Sequence, residues 1–251
     1  MFRLRILVFV GCALAVTVLG AHAQDTDLKA VLRKSIAAHG GEKNFAKFKA
    51  VTSKFKGTME IMGIKADVTG ETSMQKPDKV KNVMTLNLNG KSIDIVTVFN
   101  GEKLWVAVMG QTKEIDDEKV LKAAREEMQA ESAGSLADFL KAPYQLSAIG
   151  DVKVKGKDAI GIRVSKKDQK DISMFFDKKT YLVVKTEMRT LDAMTGQEVT
   201  QEKFIIGYQE KNGVKIAKHV EIVKDGKLFM DLEITDVQVF DKHNDAIFAK
   251  P

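Results

Sequence analysis

The stretch IIGYQEKNGVKIAKHVEIVKDGKLFMDLEITDVQVF, residues 205–240, decides the fold. Val214, Ile216, Lys218, Val220 and Ile222 form the even series of one run, and Leu228, Met230, Leu232 and Ile234 that of the next. Period-two alternation of this kind marks strands with one apolar face and one wet face. Asn212-Gly213 and Asp225-Gly226 separate the runs. Both dipeptides tolerate the positive φ that a tight hairpin turn requires, so the neighbouring strands are antiparallel. After Thr235 the apolar series changes phase, to Val237 and Val239. One extra residue in the strand produces such a change, which predicts a β-bulge near Asp236.

The same pattern extends upstream. Val51, Ser53, Phe55, Gly57, Met59 and Ile61 alternate with Thr52, Lys54, Lys56, Thr58 and Glu60. Asn89-Gly90 and Asn100-Gly101 are further hairpin signals, with weaker ones at Met62-Gly63, Met109-Gly110, Lys155-Gly156 and Thr195-Gly196. The pattern predicts an antiparallel meander of about ten or eleven strands. No regular alternation of strand and helix appears, which disfavours a nucleotide-binding α/β fold.

Three helical stretches interrupt the meander. The first is expected over 25–39, with Leu28, Val31, Leu32, Ile36 and His39 on one face. Asp25 and Asp27 stand at its start and Arg33 and Lys34 toward its end, as the helix dipole favours. The second is expected over 116–131, with an apolar stripe of Val120, Leu121, Ala124 and Met128. The third is short, 135–140, with Ser135 and Asp138 as a capping box and Pro143 beyond it. The last two divide the strands into sets at roughly 51–115 and 151–240. Their apolar stripes need an apolar partner, and the greasy face of the sheet is the available surface.

Residues 1–23 read as a cleavable secretory signal peptide. Arg3 and Arg5 form its basic front, Ile6 to Leu19 its apolar run, and Ala21-His22-Ala23 its cleavage site. The run is short for a transmembrane helix. Cys12 is the only cysteine. A lipid anchor through Cys12 is the minor alternative, disfavoured because the apolar run continues past it. Residues 24–251 then form one domain in the periplasm, with no thiol to cross-link. Removing Arg3 and Arg5 with the leader takes the formal charge from +6 to +4. Acids and bases are interleaved without a basic block, so nucleic acid is not an expected partner.

The histidines do not assemble a catalytic site in the sequence. His39 precedes Gly40 where a helix should end, and glycine takes the left-handed conformation common just past a helix C-terminus. Gly41 then lets the chain start a short second helix carrying Phe45 and Phe48. His219 falls on the polar side of its strand. His243, in Asp241-Lys242-His243-Asn244-Asp245, is expected in a solvated terminal loop, where Lys242 opposes a cation site. There is no nucleophile elbow, phosphate loop or His-Glu-x-x-His pattern. The chain is therefore expected not to be an enzyme and to need no cofactor or metal.

Methionine carries more information. The chain after the leader has ten, and Met59, Met84, Met174 and Met230 fall on apolar strand faces. Methionine adapts to varied apolar partners. A wide apolar sheet face covered by only a few helices suits an apolar ligand. The candidates for lining such a cavity are Phe55, Met59, Met84, Leu86, Ile95, Val106, Leu121, Met128, Met174, Phe176, Val220 and Met230.

MFFDKKTYLVVKTEM (174–188), the hairpins of 205–240, the ending DAIFAKP (245–251) and the opening HGGEKNFAKFKAVTSKFKG (39–57) together resemble one group. It is the periplasmic lipoprotein carrier and receptor family, LolA and LolB, with the wider outer membrane lipoprotein-sorting proteins. The resemblance spans nearly the whole chain after the leader. It implies an unclosed antiparallel β-barrel with a helical lid over a hydrophobic concavity. It also implies a monomeric carrier that shields lipoprotein acyl chains or another lipid, without covalent chemistry. In the carriers a buried arginine on an early strand holds the lid closed. Arg163 and Arg189 lie on later strands, so that role is not carried over. The alternative implied function is an envelope protein–protein interaction or stress-sensing module on the same fold.

Overall fold

The computed structural model describes residues 27–61, 63–131, 135–192 and 195–251; the expected leader, its cleavage site and Cys12 lie outside them. Six strands come first: β1 Ala50–Ile61, β2 Ile64–Gln75, β3 Lys79–Leu88, β4 Lys91–Phe99, β5 Leu104–Val108 and β6 Gln111–Ile115. Seven follow the middle helices: β7 Gln145–Val154, β8 Lys157–Ser165, β9 Ile172–Asp177, β10 Val183–Leu191, β11 Glu198–Lys211, β12 Val214–Lys224 and β13 Lys227–Phe240. The helices are α1 Leu28–Ala38, α2 Glu42–Phe45, α3 Glu118–Glu131 and α4 Ser135–Asp138, and a 3-10 turn spans Asp245–Phe248.

All thirteen strands join one antiparallel sheet, in the order β6-β5-β4-β3-β2-β1-β13-β12-β11-β10-β9-β8-β7. β6 and β7 are its two edges, so the sheet is an open half-barrel. The strand number corrects the expectation of ten or eleven. β5 and β6 have only five residues each, too short for alternation to stand out from noise. The Asn-Gly, Met-Gly, Lys-Gly and Asp-Gly turns lie where expected, with positive φ at Asn89, Met109, Lys155, Asn212 and Asp225. The bulge in β13 is present too: Lys54 pairs with Asp236 but Phe55 with Ile234, leaving Thr235 extra.

Helix starts follow from side-chain caps. The Asp27 carboxylate accepts from the Ala30 N–H at 3.0 Å and opens α1. The Asp117 carboxylate accepts from the Lys119 N–H at 2.8 Å and opens α3. α1 closes at His39, and Gly40 follows at φ +114°. A Cβ on Gly40 would lie 2.0 Å from the Gly213 carbonyl oxygen, so this position demands glycine for both conformation and space.

The pairing register defines an inner face, on which the helices pack. Leu86, Val68, Gly57, Leu232, Val220 and Ile205 form one continuous inner row across six strands. In the half built from β8–β10 and β12, Ile162, Met174, Phe176 and Val183 bury against Val31, Leu32 and Ile36 of α1 and Leu136 and Phe139 beside α4. At the other edge, Leu121 and Met128 of α3 bury against Phe99 and Leu104, with Met74, Val80 and Ile115 around them.

The outer face carries its own small cores. Phe248 is buried with Val98 and Trp105, so the 3-10 turn is pinned across β4 and β5. Asp245 bridges Lys79 at 3.0 Å and Lys242 at 2.7 Å. Lys242, and then Lys79, pull its carboxyl down to about pH 2. His243 lies between the rings of Phe240 and Phe248, centroids 4.8 and 5.9 Å away, and is buried. The expected solvated loop is thus corrected: both aromatic partners are local, but Val98 and Trp105, which hold Phe248 down and fold the segment onto the sheet, are distant in sequence.

Candidate functional site

The inner face holds an apolar cavity of about 200 Å³ where β1 and β2 meet β12 and β13 beneath the end of α3. Phe48, Val51, Met74, Met128, Ile216, Ala217, Ile234 and Val237 provide its apolar wall, and Ser53 lies among them. The sequence builds this wall in two ways. Val51 continues the apolar series of Phe55 and Met59 along β1. Ile234 and Val237 would fall on opposite faces of a regular strand; the bulge at Thr235 returns both to the inner one.

Lys49 and Lys76 stand at one end of this wall. The Lys76 N–H donates to the Lys49 carbonyl at 3.0 Å, which extends the β1–β2 ladder by one pair beyond Ala50 and Gln75. Strand alternation therefore puts both lysines on the inner face with Val51 and Met74. Lys76 keeps contact with solvent, yet desolvation lowers its amine below the usual lysine value, against an opposing pull from Asp138.

The register carries the sequence-derived candidates Phe55, Met59, Met84, Leu86, Ile95, Val106, Met174, Phe176, Val220 and Met230 to the inner face. Leu121 and Met128 look onto it from α3. Only Met128 of these also borders the cavity. Met174 and Phe176 are packed under α1. Phe55, Met59, Leu86 and Val220 are buried in a cluster made wholly of strand residues, with Met84, Ile95 and Met230 packed against it. Sequence reasoning missed Val51, Met74, Ile216, Ala217, Ile234 and Val237. Val51 and the bulge flanks were visible in the pattern, but the position of α3 over them was not.

A second, larger groove of about 730 Å³ lies on the outer face, along Lys56, Thr58, Lys65, Asp67, Thr69, His219, Asp231 and Glu233. Two charge pairs lie within it: His219 Nε2 is 2.5 Å from Asp231 and Lys56 Nζ 3.4 Å from Glu233. Charged side chains interrupt the apolar surface that Val68 and Ile206 contribute, so the groove suits a lipid chain less well than the inner cavity. His219 thus sits on the wet side of β12.

His39 has a structural role. Its Nδ1 is 2.8 Å from the Ser35 carbonyl, which can only accept, so Nδ1 carries the proton. Its Nε2 faces the Tyr208 hydroxyl at 3.3 Å, and that hydroxyl donates to the Val183 carbonyl. Burial, and to a lesser degree Lys215, lower the imidazole pKa, partly opposed by the Ser35 bond. The network ties the end of α1 to β10 and β11. Among the described residues no cluster of three or more metal-ligating side chains occurs.

No protein-family profile matches the sequence, and no curated protein matches it significantly. Solved structures do. A DUF1329 family protein from Desulfovibrio piger is 12% identical with a TM-score of 0.57, covering 88% of this chain and 96% of that one. A LolA superfamily protein from Nitrosomonas europaea is 12% identical at 0.55, covering 88% and 97%. A putative outer membrane lipoprotein-sorting protein domain from Vibrio parahaemolyticus is 11% identical at 0.52, covering 88% and 95%. The chain has a LolA/LolB-like fold, as the resemblance in its hairpins implied. Among the described residues no helix is long and apolar enough to cross a membrane.

Proposed function

We propose that the chain is a periplasmic binding protein that shields the acyl chain of a lipoprotein, or another lipid-like ligand, within the half-barrel, and that it carries out no covalent chemistry. The cavity between β1, β2, β12, β13 and Met128 of α3 carries this reading. Its wall is mainly aliphatic, with Phe48, Met74 and Met128, and each acyl methylene buried there contributes about 0.8 kcal/mol. The likeness in fold to a lipoprotein-sorting domain supports it. The leader-like segment 1–23 supports delivery across the inner membrane.

The cavity volume of about 200 Å³ is below the ~300–1,000 Å³ of common ligand pockets. Loading a long chain therefore requires α3 to move off the sheet. The test is mass spectrometry of lipid extracted from protein purified without detergent. Co-purified acyl lipid is expected, and Ala217→Trp, which fills the cavity, should remove it. A protein that yields no lipid and takes up no uncharged apolar dye overturns the reading.

A further inference from the structure

We propose that Lys49 and Lys76 form a head-group site at the cavity mouth, so that the preferred occupant is a single-chain amphiphile with an anionic head. The inference rests on the cavity reading above and adds the chemical class of the ligand. Three observations carry it.

The first is placement. The two lysines are direct cross-strand partners on the inner face, and like charges directly opposite each other on a sheet repel. Nothing in the β1–β2 hairpin itself requires cations there. The second is the lack of an internal counter-charge. Among the described residues neither amine has an ion-pair partner. Asp138 is the nearby carboxylate, and it is already paired with Lys141 at 3.4 Å. Desolvation of Lys76 makes an anion from outside the more favourable, because the charge has lost part of its water. The third is continuity. Lys49 and Lys76 border the same cavity as Val51, Met74 and Met128, so a head bound to them sends its tail into the apolar wall. The cavity's size suits one chain rather than several.

The head chemistry is carboxylate or phosphate, and three probes of equal chain length separate the cases: laurate, dodecyl phosphate and uncharged monolaurin. Each is titrated against the full-length mature protein loaded with N-phenyl-1-naphthylamine, an uncharged dye, at low salt. The anionic probes should displace the dye at roughly tenfold lower concentration than monolaurin, as one charge-assisted contact implies. The stronger of the two names the head. The advantage should shrink as salt rises, since the site is open to solvent. Lys49→Gln with Lys76→Gln should abolish it without lowering the melting temperature, each probe being compared with monolaurin in the same variant. Equal competition by monolaurin in the parent protein, or an anionic advantage that survives the double substitution, overturns the inference and leaves the cavity reading standing. Failure of the dye to bind at all removes both.

Discussion

Both halves of the inner face are apolar, and they are finished differently. Under α1 and α4, the face of β8–β10 is closed by helix residues, and Leu32, Ile162 and Phe176 have no exposure at all. On β1–β4, β12 and β13, the cluster around Phe55, Met59, Leu86 and Val220 consists, among the described residues, of strand residues alone. The cavity borders this second cluster and ends at Met128 of α3. A helix-filled half fixes the shape of the sheet; a self-covered half leaves space that one helix can uncover. On the proposed function, stability and binding fall to different strands, and substitutions can separate them.

The largest effect is expected in the helix-filled half. Phe176→Ala should cost about 3–5 kcal/mol, as large-to-small changes at fully buried aromatic sites do. Thermal unfolding would record it, while dye uptake at low temperature should survive. Loss of uptake at temperatures where the protein is folded would mean that the two halves are one functional unit.

In the self-covered half, Gly70 is the sharper probe. A Cβ there would sit 2.4 Å from the ring of Phe55 and 2.5 Å from the Val83 carbonyl oxygen. Gly70→Ala should cost about 1–3 kcal/mol by overpacking. It should also change dye affinity, because Phe55 must shift beside the cavity. An effect on stability alone would show that the strand cluster and the cavity are uncoupled.

A smaller effect is expected with pH. The folded-state pKa of His39 lies below its usual value of 6.5, with burial the main cause. The unfolded chain therefore takes up the proton first as pH falls. The stability that neutral His39 contributes is full above about 6.5 and is lost as pH drops from there through the folded value. Chemical denaturation between pH 7.5 and pH 5 should show this decline, and His39→Gln should flatten it without changing ligand binding. An unchanged slope would detach His39 from the docking of α1.

The smallest effect has the opposite sign. Lys76→Gln removes one of two opposed like charges and should raise stability by a few tenths of a kcal/mol. A decrease in melting temperature would mean that the lysine pair is structural.

Most of the fold was legible because a half-covered sheet must alternate. Val214–Ile222 and Leu228–Ile234 could belong only to strands, and the phase change after Thr235 located a bulge from sequence. What could not be read depended on contacts distant in the chain. His243 looked solvated because its aromatic neighbours act only after the last turn folds back onto Val98 and Trp105. The cavity wall was equally hidden. Val51, Phe55 and Met59 share one pattern on one strand, yet Val51 lines the cavity and the other two pack into the neighbouring cluster. Only the placement of α3 and the bulge separates them.

The strand order has a consequence for how the chain comes to its shape. Its first and last strands, β1 and β13, are partners at the centre of the sheet, while the edges β6 and β7 are joined through the intervening helices. Ala50 pairs with Phe240, so the central seam closes over almost the full span of the chain. A chain emerging from its N-terminus exposes one side of β1, with Val51, Phe55 and Met59, until the final strand arrives. Such distant pairing makes folding slow, since the loop must close before contacts repay it. The same geometry makes the protein a natural subject for circular permutation. Opening the chain between β6 and α3 and linking its ends would preserve every ladder and leave far fewer residues between the two strands of that seam.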